Sequence, residues 1–136
     1  MTKAISKVII NYPLAKRISA QQIQQAMEVV ALDATQQVKL ELSHPGTGRE
    51  YPRGKDTTHV ASAPGEPPAV DTGRLRNSIT SEVFRTPKGA EVIVSANTEY
   101  AMALEVGTER IAPRPYMMTV LRQGVERWKG ILKRFV

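Results

Sequence analysis

Apolar residues spaced three and four apart form the longest regular pattern in the chain, in its first third. This spacing predicts an amphipathic helix, which we assign to residues 13–42. Ser19 and Gln22 have the spacing of a capping box, and the helix should end before His44-Pro45-Gly46 because proline disfavours helical backbone in the residue before it. The apolar stripe consists of Ile23, Ala26, Met27, Val30, Ala31, Ala34, Val38 and Leu42.

A second stripe with helical spacing predicts a last helix over residues 115–135. Pro115 suits a first helical turn, where the missing N–H would have no partner anyway. The opposite face is predicted to be solvated and carries Arg122, Glu126, Lys129 and Lys133. The stripe predicted to face the core consists of Met117, Val120, Leu121, Gly124, Val125, Trp128, Ile131, Leu132 and Phe135.

Residues 71–114 have the pattern of a β-hairpin with short helices on either side. Two β-branched runs, 79–85 and 90–96, flank the turn sequence Thr86-Pro87-Lys88-Gly89 and are predicted to be paired strands. Before the hairpin, Asp71 or Thr72 is expected to cap a helical turn containing Leu75. After it, Asn97-Thr98 is expected to cap a helix over 99–106 that Gly107 ends, with 108–114 extended.

The chain begins with a β-branched, apolar segment, Ile5 to Tyr12, which could be a short strand or an arm packed on a neighbour. Together these elements predict one α+β domain over residues 1–136, with a small antiparallel sheet packed against two long amphipathic helices.

Residues 43–70 lack a sustained hydrophobic period and contain five prolines and four glycines. A connection of this length is uncommon in a compact domain and is usually functional or disordered. It could be a floppy surface loop, or an arm that becomes ordered against partner subunits. Pro67-Pro68 favours the second interpretation because an extended polyproline geometry loses less entropy on docking.

The composition fits one modest hydrophobic core. The chain has 136 residues, 41% of them hydrophobic, and no cysteine, which excludes disulfides and thiolate metal sites. The N-terminal apolar run is too short for a signal peptide, and no run reaches transmembrane length. We therefore expect a soluble protein made in the cytoplasm, without membrane contact.

A net charge of +6 raises the expectation of a polyanionic neighbour. The alternative is an ordinary basic surface, since the cations are spread along the whole chain. Aromatic residues make up only 5%, which disfavours a base-stacking platform. Of the nucleic-acid interpretations, DNA lying nearby is favoured over DNA read by sequence.

Candidate catalytic or metal sites are weak. Asp71-Thr72-Gly73 matches the short motif of aspartic proteases, but a helix cap explains it better beside Arg74. The only histidines, His44 and His59, are interpreted as solvated loop residues. The sequence thus predicts no enzyme activity, no cofactor and no metal. A polar cluster around Gly107 is either an exposed turn with local pairs or a subunit contact.

Two segments together resemble a known family. One is Pro67 to Ile79, with the pattern Thr-Gly-x-Leu-Arg-x-Ser-Ile from Thr72 onwards. The other is Tyr100 to Met117, with Tyr-Ala-x-x-Leu-Glu-x-Gly-Thr followed by Arg114-Pro115-Tyr116. In order and spacing they resemble the small neck and minor tail proteins of long-tailed bacteriophages, also called tail completion or head–tail joining proteins.

The resemblance implies a non-catalytic virion protein, assembled in the host cytoplasm, that forms a homo-oligomeric ring, commonly six-fold. Such a ring joins the head connector to the tail, contacts neighbouring neck and tail proteins, and surrounds genomic DNA without reading its sequence. A basic, non-sequence-specific nucleic-acid-binding module is the alternative. The candidate subunit-interface residues are Pro67, Pro68, Asp71, Arg74, Arg76, Glu105, Thr108, Arg110 and Arg114.

Overall fold

The fold is α+β. A computed structural model describes residues 4–11, 19–43, 46, 48, 50–53, 57–60, 73–87, 89–110 and 112–135. In chain order the elements are β1 (Ala4–Asn11), α1 (Ala20–Glu41), β2 (Glu50–Arg53), β3 (Thr57–Val60), α2 (Arg74–Asn77), β4 (Ile79–Thr86), β5 (Gly89–Ala96), α3 (Ala101–Val106) and α4 (Met117–Lys133).

Helix α1 begins with the predicted capping box. The Ser19 hydroxyl accepts a hydrogen bond from the Gln22 backbone N–H at 3.1 Å, and the Gln22 side chain accepts one from the Ser19 N–H at 2.9 Å. Both bonds satisfy donors that a helix start leaves without partners. The helix therefore starts at Ala20, so the start predicted at residue 13 is wrong; residues 12–18 lie outside the described chain.

The apolar stripe of α1 faces the core as predicted. Its positions from Ala26 to Leu42 are buried, and Ile23 is partly buried against them. The stripe packs on α4 and on one face of the sheet, against β4 and β5. Full burial of a single valine or methionine side chain contributes about 1.5–3 kcal/mol. This stripe therefore fixes how α1 lies on the sheet.

The main sheet is antiparallel and has the strand order β1-β5-β4. Strand β5 is central, and its Ala90, Val92, Val94 and Ala96 are buried beneath the helices. The predicted hairpin is confirmed: β4 and β5 pair up to Thr86 and Gly89 at the turn. The first segment of the chain is a strand, because β1 pairs along its whole length with β5.

Helix α4 packs beside α1 and over β1. It covers Met117–Lys133, so the predicted range 115–135 is too long at both ends, and Pro115 precedes the helix. Trp128 lies in the core with 2% of its surface exposed, as expected. Val125 is 42% exposed, so its assignment to the core stripe is wrong.

Part of the predicted loop 43–70 is regular structure. Strands β2 and β3 pair antiparallel, from Glu50 opposite Val60 to Arg53 opposite Thr57, and form a small ribbon. The sequence analysis missed this ribbon because its strands have four residues each and one contains Pro52, which lacks the backbone donor that a ladder uses. In the described chain, neither strand makes a substantial contact with any element except the other.

Within the described residues, none of the helices is both long enough and apolar enough to cross a membrane.

Candidate functional site

The two sequence motifs meet at one end of the main sheet. Ile79 pairs with Ala96, so the residues that precede β4 and those that follow β5 lie side by side. We call this region the motif junction and define it as α2 with Ser78 and residues 97–116 outside Ile111.

Helix α2 begins at a glycine in the left-handed region. Gly73 has φ of +80° and is the N-cap, and no side chain caps the helix. Glycine adopts this backbone without the steric cost that other residues meet. The N-cap residue is thus Gly73; Asp71 and Thr72, which were predicted to cap this helix, lie outside the described residues.

Ser78 and Asn97 join the two motifs. The Ser78 hydroxyl donates to the Leu75 carbonyl at 2.7 Å and accepts from the Asn97 backbone N–H at 3.1 Å. The Asn97 side-chain amide donates to the Ser78 carbonyl at 2.7 Å and to the Thr80 hydroxyl at 2.9 Å. The serine of the first motif thus fastens the end of α2 to the end of the sheet.

This use of Asn97 changes the predicted start of α3. The helix begins at Ala101, its N-cap is Tyr100, and no side chain caps it. The prediction that Asn97 and Thr98 cap a helix over 99–106 is therefore wrong. The Thr98 hydroxyl is buried and has no hydrogen-bond partner among the described residues.

Arg74 interacts with the segment that follows β5. Its guanidinium lies 2.9 Å from a Glu99 carboxylate oxygen and 5.6 Å from the centroid of the Tyr100 ring. A hydrogen bond to its own backbone, followed by the charge of Arg74, lowers the pKa of Glu99. Both members of the ion pair are exposed, so the pair adds little to stability.

Arg76 links α2 to the end of α1. Its Nη1 donates to the Ser43 hydroxyl at 3.4 Å. Ser43 directly follows the end of α1, while Arg76 lies in α2. The described residues on the two sides of the segment 44–72 are therefore joined at one place on the body.

Glu105 is the most heavily bonded side chain of the junction. Its carboxylate accepts hydrogen bonds from the backbone N–H groups of Tyr116, Met117 and Met118, at 2.9, 3.0 and 2.9 Å. Helix α4 has no cap from its own N-cap residue. A carboxylate from α3 therefore satisfies these donors and also complements the positive end of the helix dipole.

This role corrects the sequence interpretation of Glu105. It was expected in an exposed turn or a subunit contact, but it is only 8% exposed and its bonds are intramolecular. The signal that could have revealed it is an acidic residue shortly before a helix that lacks a capping side chain of its own.

Tyr116 also stabilises the connection between α3 and α4. Its phenol is fully buried and donates to the Ala101 carbonyl at 3.0 Å. Burial, and secondarily the nearby Glu105 carboxylate, raises the pKa of Tyr116 far above its usual range. The Arg114 backbone N–H also donates to the Leu104 carbonyl at 2.7 Å. The Tyr-Ala-x-x-Leu-Glu motif thus fastens α3 to the start of α4.

The remaining candidate interface residues lie on the outside of the junction or beyond the described chain. Thr108 and Arg110 are exposed, and the Thr108 hydroxyl accepts from the Arg110 backbone N–H at 3.2 Å. Arg114 is partly buried, and its Nε finds no hydrogen-bond partner among the described residues. Pro67, Pro68 and Asp71 lie outside the described chain.

The sequence analysis overlooked Asp33, which joins the two long helices. One carboxylate oxygen, Oδ2, accepts from the Trp128 indole at 2.7 Å and from the Arg127 guanidinium at 2.8 and 2.9 Å. Asp33 lies beside the apolar stripe of α1, where a polar residue is expected to face solvent. Only the packing of α4 against α1 reveals its partners.

The described part of the chain contains no group of three or more acidic or histidine side chains placed to hold a metal ion. The outward face of the junction is mixed in charge: Arg74 and Arg110 are exposed there together with Glu99 and Glu109. Comparisons with protein-family models, curated proteins and solved structures find no match to this chain.

Proposed function

We propose that this protein is a non-catalytic structural subunit of a tailed bacteriophage virion. It acts as a neck or tail-completion protein, assembled in the host cytoplasm, and forms a homo-oligomeric ring of six copies. The ring joins the head connector to the tail, contacts neighbouring neck and tail proteins, and surrounds the DNA channel.

The single observation that carries this proposal is the β2–β3 ribbon, which makes no substantial contact with any other described element of the chain. The segment that contains the ribbon, residues 44–72, connects Ser43 to the residues before α2, and the Ser43 hydroxyl accepts a hydrogen bond from Arg76 of α2. A two-stranded ribbon without further packing is only marginally stable in water. A ribbon that lacks such packing within its own chain is suited to packing against another subunit.

The resemblance in sequence supports the same function, and the motif junction gives it a physical basis. The motif residues Ser78, Glu105 and Tyr116 build a rigid end of the body, from which Arg74 and Arg110 project. Arginine makes bidentate pairs that fix register between subunits. We therefore retain Arg74, Arg110 and Arg114 as interface residues and leave out the buried Glu105.

The proposal is tested by removing the ribbon without disturbing the body. A variant in which residues 46–70 are replaced by a short Gly-Ser linker keeps both ends of the segment 44–72 in place. We expect the full chain to form closed rings by native mass spectrometry and electron microscopy. The shortened variant should remain a folded monomer. A single cooperative unfolding transition would show that its body is intact.

A matched control places the same linker between Pro87 and Lys88, in the turn at the opposite end of the sheet from the junction. This insertion should leave the rings intact. A full chain that remains monomeric at all concentrations tested, or a shortened variant that still forms rings, would contradict the proposal.

The second candidate function is a basic module that binds nucleic acid without sequence preference. The exposed cations of α4 favour it. It predicts DNA binding by a monomer, whereas the ring subunit should bind DNA weakly as a monomer and more tightly as an oligomer, through many simultaneous phosphate contacts.

A further inference from the structure

The positive charge of the folded body is concentrated on one helix. Helix α4 with its C-cap Arg134 carries five cations and one anion, a net charge of +4. The described body outside it, residues 4–11, 19–43, 73–87, 89–110 and 112–116, has seven cations and eight anions, a net charge of −1. The net positive charge of the described body therefore comes from α4. The distribution of cations along the sequence does not reveal this.

Three of these five cations lie on a single face of α4, together with one anion. Arg122, Glu126, Lys129 and Lys133 are spaced four, three and four residues apart, which places them one above another on a helix. All four are exposed, on the side away from the core stripe. At 1.5 Å per residue the stripe is about 16 Å long. We call these four residues the basic stripe.

The one acidic residue in the basic stripe neutralises little of it. Glu126 lies 3.2 Å from Lys129, in a pair whose side chains are both largely exposed. Such pairs are weak and are readily exchanged for a stronger partner. Neither Arg122 nor Lys133 has an ion-pair partner among the described residues.

We infer that the basic stripe of α4 binds the phosphate backbone of duplex DNA without reading its sequence. This inference rests on the proposed function, for which it names the surface that faces the DNA channel. Over about 16 Å of axis duplex DNA carries roughly nine phosphates, so three cations at this spacing have several acceptors in reach. The stripe contains no aromatic residue and only one arginine, which fits backbone contact rather than base recognition.

The basic stripe has its geometry before DNA binds, because α4 is held in place by other elements. The helix is held by Glu105 at its first turn and by Asp33 at Arg127 and Trp128. Both anions act on the buried or α1-facing side of α4 and leave the basic stripe free. The cations therefore keep a fixed spacing along the axis.

The test measures how DNA affinity depends on salt. A labelled duplex of random sequence is titrated with the full chain at several salt concentrations, and fluorescence anisotropy reports binding. Each lost phosphate contact reduces the slope of log K against log salt by about 0.9. For each subunit that contacts the duplex, we expect Lys133→Gln to reduce the slope by about 1 and Arg122→Gln/Lys133→Gln by about 2. Arg85→Gln, an exposed cation on β4, should leave the slope unchanged.

A second pair of variants tests the inference in the opposite direction. Glu126→Gln removes the anion from the basic stripe and should tighten DNA binding several-fold. Glu82→Gln alters net charge equally but lies exposed on β4, and should have no effect. If both variants tighten binding equally, or if the double variant keeps the wild-type slope, the inference is wrong.

These outcomes separate the inference from the proposed function. If the rings form normally but substitutions in the basic stripe leave DNA binding unchanged, the inference is wrong and the proposed function stands. A monomeric full chain that binds DNA through the stripe would overturn the ring and retain the stripe. If poly-aspartate displaced the DNA as effectively as an unlabelled duplex of equal charge, the stripe would be assigned to an acidic protein surface and the inference would be wrong.

Discussion

At the scale of single residues, several positions of the two sequence motifs stabilise the fold of their own chain. Ser78, Glu105 and Tyr116 each bond to backbone groups that would otherwise lie without partners. Buried polar groups are costly unless hydrogen-bonded, so such residues resist substitution for reasons of stability alone. A motif can therefore mark a fold feature that positions an interface without forming the interface itself.

Glu105→Gln should destabilise the protein by about 2 kcal/mol, because it removes the charge that strengthens three hydrogen bonds and complements the helix dipole. The matched control is Glu109→Gln, an exposed carboxylate four residues later, which should change stability by less than about 0.5 kcal/mol. Urea denaturation followed by circular dichroism gives both values. Equal effects of the two substitutions would show that the capping role is unimportant.

Tyr116 should make the protein sensitive to alkaline pH. Burial raises its pKa in the folded state well above the usual tyrosine value of about 10, so the folded protein holds the phenol proton after the unfolded chain has lost it. Stability from this group is complete below pH 10 and falls by about 1.4 kcal/mol per pH unit above it. Tyr116→Phe should therefore cost about 1 kcal/mol at pH 7 but flatten the decline above pH 10. Thermal unfolding across pH 8–11.5 measures this; an unchanged decline in the variant would contradict it.

At the scale of elements, hydrophobic spacing was sufficient to predict both long helices and the hairpin. It failed where the deciding contact is remote in sequence. The start of α3 depends on Asn97 being engaged by Ser78, and the N-terminal cap of α4 comes from Glu105. The β2–β3 ribbon was not predicted because strands of four residues, one of them containing a proline, have too weak a hydrophobic alternation. Local pattern predicts elements well, but the side chains that join elements depend on tertiary structure.

Two glycines of α4 provide a matched test of how this helix packs. A Cβ on Gly124 would overlap the Trp128 ring, whereas one on Gly130 meets nothing within 4 Å. Gly130→Ala should stabilise the protein by about 0.5–1 kcal/mol through helix propensity. Gly124→Ala should destabilise it by about 1–3 kcal/mol, because a buried ring bonded to Asp33 has to move. Chemical denaturation compares them, and a stabilising Gly124→Ala would show that the ring shifts freely.

At the scale of the whole molecule, the described chain combines a body with a β2–β3 ribbon that makes no substantial contact with any other described element. The apolar stripes of α1 and α4 and the inner face of the main sheet form one buried core. The ribbon makes its hydrogen bonds within itself. The exposed charge is likewise divided, with a basic α4 beside a mildly acidic remainder.

Hydrogen exchange should expose this division directly. Amides of the central strand β5 pair on both sides and lie under the core, so they should open only on global unfolding and exchange slowest. Amides of β2 and β3 have only each other and should exchange by local opening, orders of magnitude faster, in the monomer. In assembled rings, mass spectrometry should find the ribbon protected by at least tenfold while β5 is unchanged. Equal protection of the ribbon in monomer and ring would mean that it packs within its own subunit, and the ribbon would lose its proposed role in assembly.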